Sequence, residues 1–359
     1  MQYEWIKSVE SRVVLFKSFY ERQNERPLFG FFKDSEYPLF RYPFSRALPE
    51  GQPLTPEDFN IKSFVNDSEK LWSEHETCGG DFIFSACAFW GIPWLEAALG
   101  CPIFADHSTG SIYSKPPKKI TPEDVPEFSP DSPWIRLMKD RLNELTAKSA
   151  GRFPLATTRM RGISDLLSAL YGGDSFIFAM LENPEEVKAY TAQLTEFFIK
   201  TAKHQLKHIP EFHGGIGSFY YYMWAPVGTV WHQEDAAALL SPDIYEEFIE
   251  PCDRKIVRAF SHVIIHEHST GFVPIQSYLD MDMTALEMHI DIGGPSAEEL
   301  FEKHMNILEQ KPLLIWGDIP EKDLDWIFDK LPCQGLAINT IVNSSEQAEQ
   351  LWNKYIKKK

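Results

Sequence analysis

The order of hydrophobic and polar residues along the 359-residue chain predicts alternating strands and helices. Runs of about four to eight β-branched or aromatic residues are typical of buried strands, and longer stretches with apolar residues three and four apart are typical of helices. On this basis we predict eight strands, at residues 26–32, 81–88, 153–160, 217–224, 262–269, 285–292, 312–319 and 335–342.

Helix start signals stand between most of these strands. The helix predicted at 184–208 has a proline at its first position, directly after Asn183. The helix at 241–260 begins with a serine cap, and the helix at 296–311 begins with a Ser-x-x-Glu capping box. Two more helices are predicted, at 321–331 and 344–359.

The strand and helix order predicts an α/β fold with parallel strands and right-handed crossovers, most clearly from residue 262 onward. Eight strands with interleaved helices favour a closed (β/α)₈ TIM barrel. An open, doubly wound sheet is the alternative, although no Gly-x-Gly-x-x-Gly turn follows any predicted strand.

We expect one domain over residues 1–359, with an irregular first part (1–150) and a regular barrel part (151–359). The segments 33–75 and 102–135 are rich in proline, serine and acidic residues. They are therefore predicted to form long loops or insertions around the barrel mouth.

Composition and charge exclude several classes of protein. The formal charge is −17 and the one basic run is the terminal Lys-Lys-Lys, so we expect no nucleic-acid partner. The first residues do not form a signal segment and no apolar run approaches about 18 residues, so we expect no membrane span. Scattered cysteines without a Cys-x-x-Cys pair predict reduced thiols in a cytoplasmic protein; they are Cys78, Cys87, Cys101, Cys252 and Cys333.

Polar residues collect at the carboxyl ends of the predicted strands, where parallel barrels carry their working residues. Strand ends that meet at one edge of a sheet predict a ligand pocket when several are polar. The residues concerned are Arg159, Arg161, His266, His268, Thr270, Glu287, His289, Asp291, Asp318, Asn339 and Thr340.

Two histidines spaced two apart on one strand, His266 and His268, point to the same side of the sheet. They are either an imidazole pair held by carboxylates or carbonyls, or metal ligands. Glu287 and His289 on the next strand favour the metal interpretation, because imidazoles with a carboxylate form a plausible zinc set. Such a set would leave a coordination position for a substrate heteroatom.

The charged residues around these histidines allow a binding role and a structural one. Arg159 and Arg161 could hold an anionic substrate group by bidentate contacts, or could form salt bridges to Asp318 or Asp165. Asp235 follows the fourth predicted strand just before a helix. It is either a catalytic carboxylate or a partner of the helix dipole.

Four segments in the second half resemble the uroporphyrinogen decarboxylase superfamily. Residues 161–198 contain the Gly-Gly turn and the Glu-Asn-Pro-Glu-Glu-Val helix start, and residues 235–257 contain the Ser-Pro-x-x-Tyr-x-x-Phe-x-x-Pro signature. Residues 266–271 (His-Glu-His-Ser-Thr-Gly) occupy the place of the family's His-x-Cys-Gly strand end, and residues 335–351 resemble its last strand and helix.

The resemblance implies a (β/α)₈ barrel and one of two activities. One is cofactor-free decarboxylation of porphyrinogen acetate arms, and the other is corrinoid-dependent methyl transfer with zinc activating a thiol. The chain departs from both. Ala86 stands where the decarboxylase has an aspartate, and residues 26–38 do not contain its arginine pair. Thr270 stands where the methyltransferases have a zinc-binding cysteine, so a bound metal would use harder ligands that favour oxygen or nitrogen.

Three functions follow as hypotheses. The first is a methyltransferase acting on a small methylated compound, with a corrinoid partner protein and a zinc ion. The second is a decarboxylase of the uroporphyrinogen type, or one acting on a smaller acid, without a cofactor. The third is a non-catalytic protein that binds a tetrapyrrole or a small acid. The resemblance also implies a homodimer.

The first hypothesis assigns a role to each candidate residue. His268, Asp235 and Glu287 are expected to be catalytic, and His266, His268 and His289 are expected to bind metal. The substrate-binding residues are expected to be Arg159, Arg161, Asp291, Asp318 and Asn339.

Overall fold

Eleven strands and fourteen helices make up the regular structure in a computed structural model that describes residues 5–33, 35–118, 125–218 and 221–357. The strands are β1 (Leu28–Lys33), β2 (Ile103–Asp106), β3 (Ser111–Ser114), β4 (Met160–Arg161), β5 (Gly215–Gly217), β6 (Trp224–Pro226), β7 (Thr229–Gln233), β8 (His262–His268), β9 (Ala285–His289), β10 (Leu313–Gly317) and β11 (Leu336–Val342).

The helices surround the main sheet. They are α1 (Val9–Tyr20), α2 (Pro38–Arg41), α3 (Ile61–His75), α4 (Trp94–Ala98), α5 (Pro133–Ser149), α6 (Ile163–Tyr171), α7 (Ser175–Glu182), α8 (Pro184–Leu206), α9 (Pro242–Ile244), α10 (Glu250–Arg258), α11 (Ile275–Leu279), α12 (Phe301–Leu308), α13 (Glu321–Lys330) and α14 (Ser345–Trp352). Among the described residues, no helix combines the length and the apolar character that crossing a bilayer requires.

Seven parallel strands form the main sheet within the described residues, in the order β1-β11-β10-β9-β8-β7-β4. Buried apolar side chains cover both of its faces, as expected for parallel strands flanked by helices. The predicted α/β class with a parallel sheet is confirmed.

Closure of the sheet into an eight-strand barrel stays a prediction. The two edge strands, β1 and β4, are not paired with each other by a regular ladder among the described residues. Single bridges join Gly30 of β1 to Gly80 in the antiparallel sense, and Ala86 to Leu155, in the segment before β4, in the parallel sense. Residues 80–86 are therefore bridged at one end to β1 and at the other to the segment before β4. This segment, predicted as a strand, therefore makes isolated bridges instead of a continuous ladder.

The prediction of the fourth parallel strand at 217–224 is wrong. Gly217 ends β5 and Trp224 begins β6, which pair antiparallel; Ser218 and residues 221–223 are in no strand, and residues 219 and 220 lie outside the described residues. Tyr222 has a φ of 59°, which an extended strand does not allow. The strand that pairs with β4 and β8 is β7, a few residues further along the chain.

The helices predicted in the second half are present. The stretch 184–208 forms α8, and 241–260 forms α9 and α10 with a π-helical turn at Tyr245–Ile249 between them. The hydrogen bonds of the predicted capping box are present, because Ser296 and Glu299 exchange backbone-to-side-chain bonds of 2.8 and 3.3 Å. Residues 297–300 form a turn, however, and α12 begins only at Phe301, five residues later than predicted.

The two segments predicted as long loops or insertions contain regular structure, so they are not simply loops. Residues 33–75 contain the fifteen-residue helix α3, and residues 102–135 contain the hairpin β2–β3. The apolar stripe of α3 is interrupted by two buried polar residues, Asp67 and Ser68. The Asp67 carboxylate accepts a hydrogen bond from Phe44 N, and the Ser68 hydroxyl donates one to Phe64 O. Because those polar residues are buried, the helical period is hard to see in the sequence.

Candidate active site

A cavity of about 660 Å³ opens at the carboxyl ends of the parallel strands. This is the edge at which parallel α/β proteins place their ligands. Of the ten predicted site residues, eight line the cavity: Arg159, Arg161, Asp235, His266, His268, His289, Asp291 and Asp318.

The other two predicted residues, Glu287 and Asn339, are fully buried behind the cavity wall. Glu287 bonds to His266, and the Asn339 amide donates a 2.8 Å hydrogen bond to the backbone oxygen of Tyr221. In this structure both side chains hold other residues in place, and the expectations that Glu287 is catalytic and that Asn339 binds substrate stay predictions.

Strand β7 and the two residues after it send alternate side chains to opposite sides of the sheet. Trp231, Gln233 and Asp235 line the cavity, whereas His232 and Glu234 are fully buried on the other side. The period of two in an extended strand produces this division. The site was therefore predicted only in part, because residues 229–233 were not recognised as a strand.

The buried carboxylate of Glu234 caps helix α6. It accepts hydrogen bonds from Ile163 N at 2.6 Å and Ser164 N at 2.9 Å, and lies 2.9 Å from His232 Nε2. A Cβ atom at Gly162 would lie only 2.0 Å from Glu234 Oε1, so only glycine fits there. The cap fixes the start of α6 next to Arg161 and Asp235, which line the cavity.

Three cavity residues have the types and spacing of metal ligands: His268, His289 and Asp291. The Nδ1 atoms of the two imidazoles are 3.2 Å apart, and Asp291 Oδ1 lies 3.4 Å from His289 Nδ1 and 2.5 Å from His268 Nδ1. Hydroxyls of Ser269 and Thr270 donate to Asp291 Oδ2 at 3.2 Å, which directs Oδ1 towards the histidines.

These separations fit a small divalent cation. With ligand distances of about 2.0–2.1 Å, neighbouring ligand atoms of a tetrahedral zinc site lie about 3.3 Å apart. Two of the three separations have this value, and the third, between His268 and Asp291, is a short hydrogen bond. Two imidazole nitrogens that face each other at 3.2 Å cannot both carry a proton. The donor set therefore fits a metal.

Electrostatics in this cluster keep two of the three ligands, His289 and Asp291, in the forms that bind metal. Burial opposes protonation of His268, but the carboxylates of Asp291 and Asp235 raise its pKa, so a metal would have to displace its proton. Burial, with the charges of His268 and His266, lowers the pKa of His289 to about 3, so its imidazole is neutral. Burial alone would raise the pKa of Asp291, but the hydrogen bond and charge of His268 outweigh it and lower the pKa to about 2. Metal binding requires a neutral imidazole and an ionised carboxylate.

The neighbouring histidine, His266, is held by Glu287 and Tyr221 through the ring nitrogen that points away from Asp235. Its Nδ1 lies within hydrogen-bond reach of Glu287 and 2.8 Å from the Tyr221 hydroxyl, while its Nε2 lies 3.4 Å from Asp235 Oδ1 in the cavity. Burial opposes protonation, but the carboxylates of Glu287 and Asp235 outweigh it and raise the pKa of His266. Asp235, His266 and His268 thus form a second possible ligand group that shares His268 with the first.

The carboxylate of Asp235 lies between the two groups. Its Oδ2 is 3.8 Å from His268 Nε2, and Gln233 donates a hydrogen bond to the same oxygen. Burial would raise the pKa of Asp235, but the hydrogen bond and charge of His266 hold it below its ordinary value. This side chain is therefore an ionised acceptor at the centre of the cavity wall.

The two arginines of the cavity differ in their partners. Arg161 contacts Glu96 at 3.4 Å and Asp165 at 3.2 Å, so the predicted salt bridge to Asp165 is present. Arg159 forms no ion pair with any described carboxylate, and its buried Nε has no acceptor among the described residues.

Several cavity residues were not predicted, among them Tyr221, Trp231, Gln233 and Trp316. Alternation along residues 229–235 could have identified Trp231 and Gln233 as neighbours of Asp235. Tyr221 lies in an irregular segment, so neither the helical nor the strand period could have identified it.

One glycine also shapes the cavity wall. Gly317 has a φ of 142°, and a Cβ there would lie 2.9 Å from the His289 ring.

Comparison with known proteins shows the fold of the chain. No protein-family model and no curated protein sequence matches it. In structure, the chain is similar to a methyltransferase from Methanosarcina mazei, with a TM-score of 0.65 over 95% of this chain and 96% of that chain, at 14% sequence identity. The likeness extends over nearly the whole length of both chains, so the two share their overall α/β architecture.

Proposed function

We propose that this protein is a metal-dependent methyltransferase. The observation that carries the proposal is the convergence of His268 Nδ1, His289 Nδ1 and Asp291 Oδ1 in a cavity at the carboxyl edge of a parallel sheet. The overall likeness to a methyltransferase supports the same class of reaction.

The proposed metal ligands are His268, His289 and Asp291, with Asp235 beside them. A bound divalent cation acts as a Lewis acid and lowers the pKa of a coordinated heteroatom, which makes that atom a better nucleophile. Asp235, ionised and facing His266 and His268, orients the substrate at the cluster. Glu287 and Tyr221 keep the His266 ring in a fixed orientation.

The acceptor atom is proposed to be oxygen or nitrogen. The candidate ligands are two imidazoles and a carboxylate, and Thr270 directs its hydroxyl to Asp291 instead of offering a thiolate. Such ligands suit zinc and harder divalent ions better than a thiolate-rich site would. The methyl carrier is proposed to be a corrinoid on a partner protein, as the resemblance to the corrinoid-dependent methyltransferases implies.

We also propose that the sheet closes into a (β/α)₈ barrel. Support comes from the bridges at Gly30–Gly80 and Ala86–Leu155, because they connect residues 80–86 to β1 and to the segment before β4, the two sides that closure would join. The cavity would then lie at the barrel mouth, the usual position of an active site in this fold.

A methyl-transfer assay tests the proposed function. Zinc-loaded protein is incubated with methylcobalamin and small phenols or amines, and loss of the methylcobalamin absorbance is followed. We expect turnover by the wild type and at least a hundredfold less by the His268→Ala/His289→Ala variant. Release of carbon dioxide from carboxylates, without methyl transfer to any acceptor, would contradict the proposal and favour the lyase hypothesis.

A further inference from the structure

The guanidinium of Arg159 lies at the cavity without an ionic partner. It lines the cavity, and no carboxylate of the described residues lies within ion-pair distance of it. Its Nε is buried and has no acceptor in the described part of the chain, a feature it shares with Arg161, so the lack of an ion pair is what distinguishes Arg159. A buried donor of a charged group costs free energy when nothing accepts from it, so this position is suited to an external acceptor.

The neighbouring Arg161 shows what a structural arginine looks like in the same cavity. Two buried carboxylates, Glu96 and Asp165, are 3.4 and 3.2 Å from its guanidinium. Asp165 also accepts a 2.9 Å hydrogen bond from Ala236 N, which ties Arg161 to the loop that carries Asp235. The charge of Arg161 is therefore balanced within the protein, whereas that of Arg159 is available to a ligand.

The walls of the cavity indicate the rest of the ligand. Tyr221, Trp231 and Trp316 line it, and their rings pack against one another with centroids 5.2–6.0 Å apart. Aromatic walls with a few polar groups at fixed points are typical of sites for small organic molecules. A volume of about 660 Å³ is within the range of such sites.

We propose that Arg159 is the anion-binding residue of the cavity and that the substrate is a small organic carboxylate. The carboxylate would accept hydrogen bonds from the Arg159 guanidinium, whose fork matches a carboxylate in bidentate geometry. The apolar body of the molecule would lie against the aromatic wall. The role of this molecule as substrate rests on the proposed function, because the carboxylate contact would bring it to the cluster of His268, His289 and Asp291.

The test measures binding by calorimetry and does not depend on turnover. The probes are methoxyacetate and 3-methoxybenzoate, each compared with its uncharged amide. Full-length protein is titrated once with zinc and once with a chelator. We expect at least one acid to bind about tenfold or more tightly than its amide under both conditions. This preference should be lost in Arg159→Gln and partly kept in Arg159→Lys.

Two outcomes would overturn the proposal. One is that neither acid is preferred over its amide by the wild type. The other is that the preference survives in Arg159→Gln or exists only with zinc, which would place the carboxylate on the metal. A circular dichroism melt of each variant checks that it is folded. If the preference depends on Arg159 but no methyl transfer occurs, the anion site stands and the proposed function fails.

Discussion

Two histidines and one carboxylate define the site at the scale of single residues. His268 and His289 face each other through Nδ1 atoms at a distance that suits ligands of one ion, and Asp291 is turned towards them by two hydroxyls. His266, next to them, is instead fixed by Glu287 and Tyr221. Strand β8 thus carries two histidines with different surroundings. His266 is held mainly by protein groups, whereas His268 Nδ1 faces the point at which His289 Nδ1 and Asp291 Oδ1 also converge.

Asp291→Asn should lower the affinity for zinc by at least about tenfold, because an amide oxygen is a much weaker ligand than a carboxylate. Asp318→Asn is the matched control, since Asp318 lines the same cavity but does not belong to the cluster. The zinc affinity of Asp318→Asn should stay within about threefold of the wild-type affinity. Competition with a fluorescent zinc chelator measures both. Equal affinities in the two variants would remove Asp291 from the ligand set.

At the scale of secondary-structure elements, strand ends and helix starts position the site. Strand pairing places His266 beside Glu287 and His268 beside His289. The alternation of β7 sends Asp235 to the cavity and Glu234 to the start of α6, so one short segment supplies both a cavity carboxylate and a helix cap.

Loss of the Glu234 cap should destabilise the protein strongly. Glu234→Ala removes a buried carboxylate that accepts from Ile163 N and Ser164 N and leaves these donors unpaired. We expect a loss of about 3 kcal/mol in the free energy of unfolding, measured by urea denaturation. Glu299→Ala, at an exposed capping box, should cost only about 1 kcal/mol. A similar small loss in both variants would contradict the role of Glu234.

Helix α12 carries a histidine that should make stability depend on pH. His304 is fully buried, neither ring nitrogen has a partner among the described residues, and burial lowers its pKa to about 4. The folded pKa lies below the unfolded value of about 6.5, so the stabilising contribution is complete above pH 6.5 and is lost as the pH falls towards 4.

His304→Leu should therefore remove part of the loss of stability between pH 6.5 and 4. The shift corresponds to roughly 3 kcal/mol, since each pKa unit is worth about 1.4 kcal/mol. Urea denaturation of wild type and variant at several pH values measures the difference. Parallel curves for the two proteins across this range would show that His304 does not titrate as the structure indicates.

For the whole molecule, the sequence predicted the sheet better than it predicted the first half of the chain. Strands β8 to β11 are continuous apolar runs between helices with clear caps, and each lies where it was expected. Helix α3 was missed because buried Asp67 and Ser68 interrupt its apolar face. The fourth strand was misplaced because the aromatic run before it turns at Tyr222, and backbone reversal is not visible in hydrophobicity alone.

The sequence also predicted most, but not all, of the residues of the candidate active site. Reading the polar ends of the strands located eight residues that the fold brings to one cavity. Which of them face the cavity and which lie behind it depends on pairing between strands. Glu287 and His266 are paired in the ladder, so Glu287 is covered by the histidine it supports. The difference between Arg159 and Arg161 depends on Glu96, a residue from a distant helix, and could not be read from local sequence.

The most direct test of the account is the zinc content of the purified full-length protein, measured by elemental analysis after dialysis against zinc without chelator. Three proteins are compared: wild type, His268→Ala/His289→Ala and His266→Ala. We predict about one zinc per chain in the wild type, nearly none in the double variant, and retention of most of the metal in His266→Ala. Absence of zinc from the wild type, or equal zinc in wild type and the double variant, would contradict it.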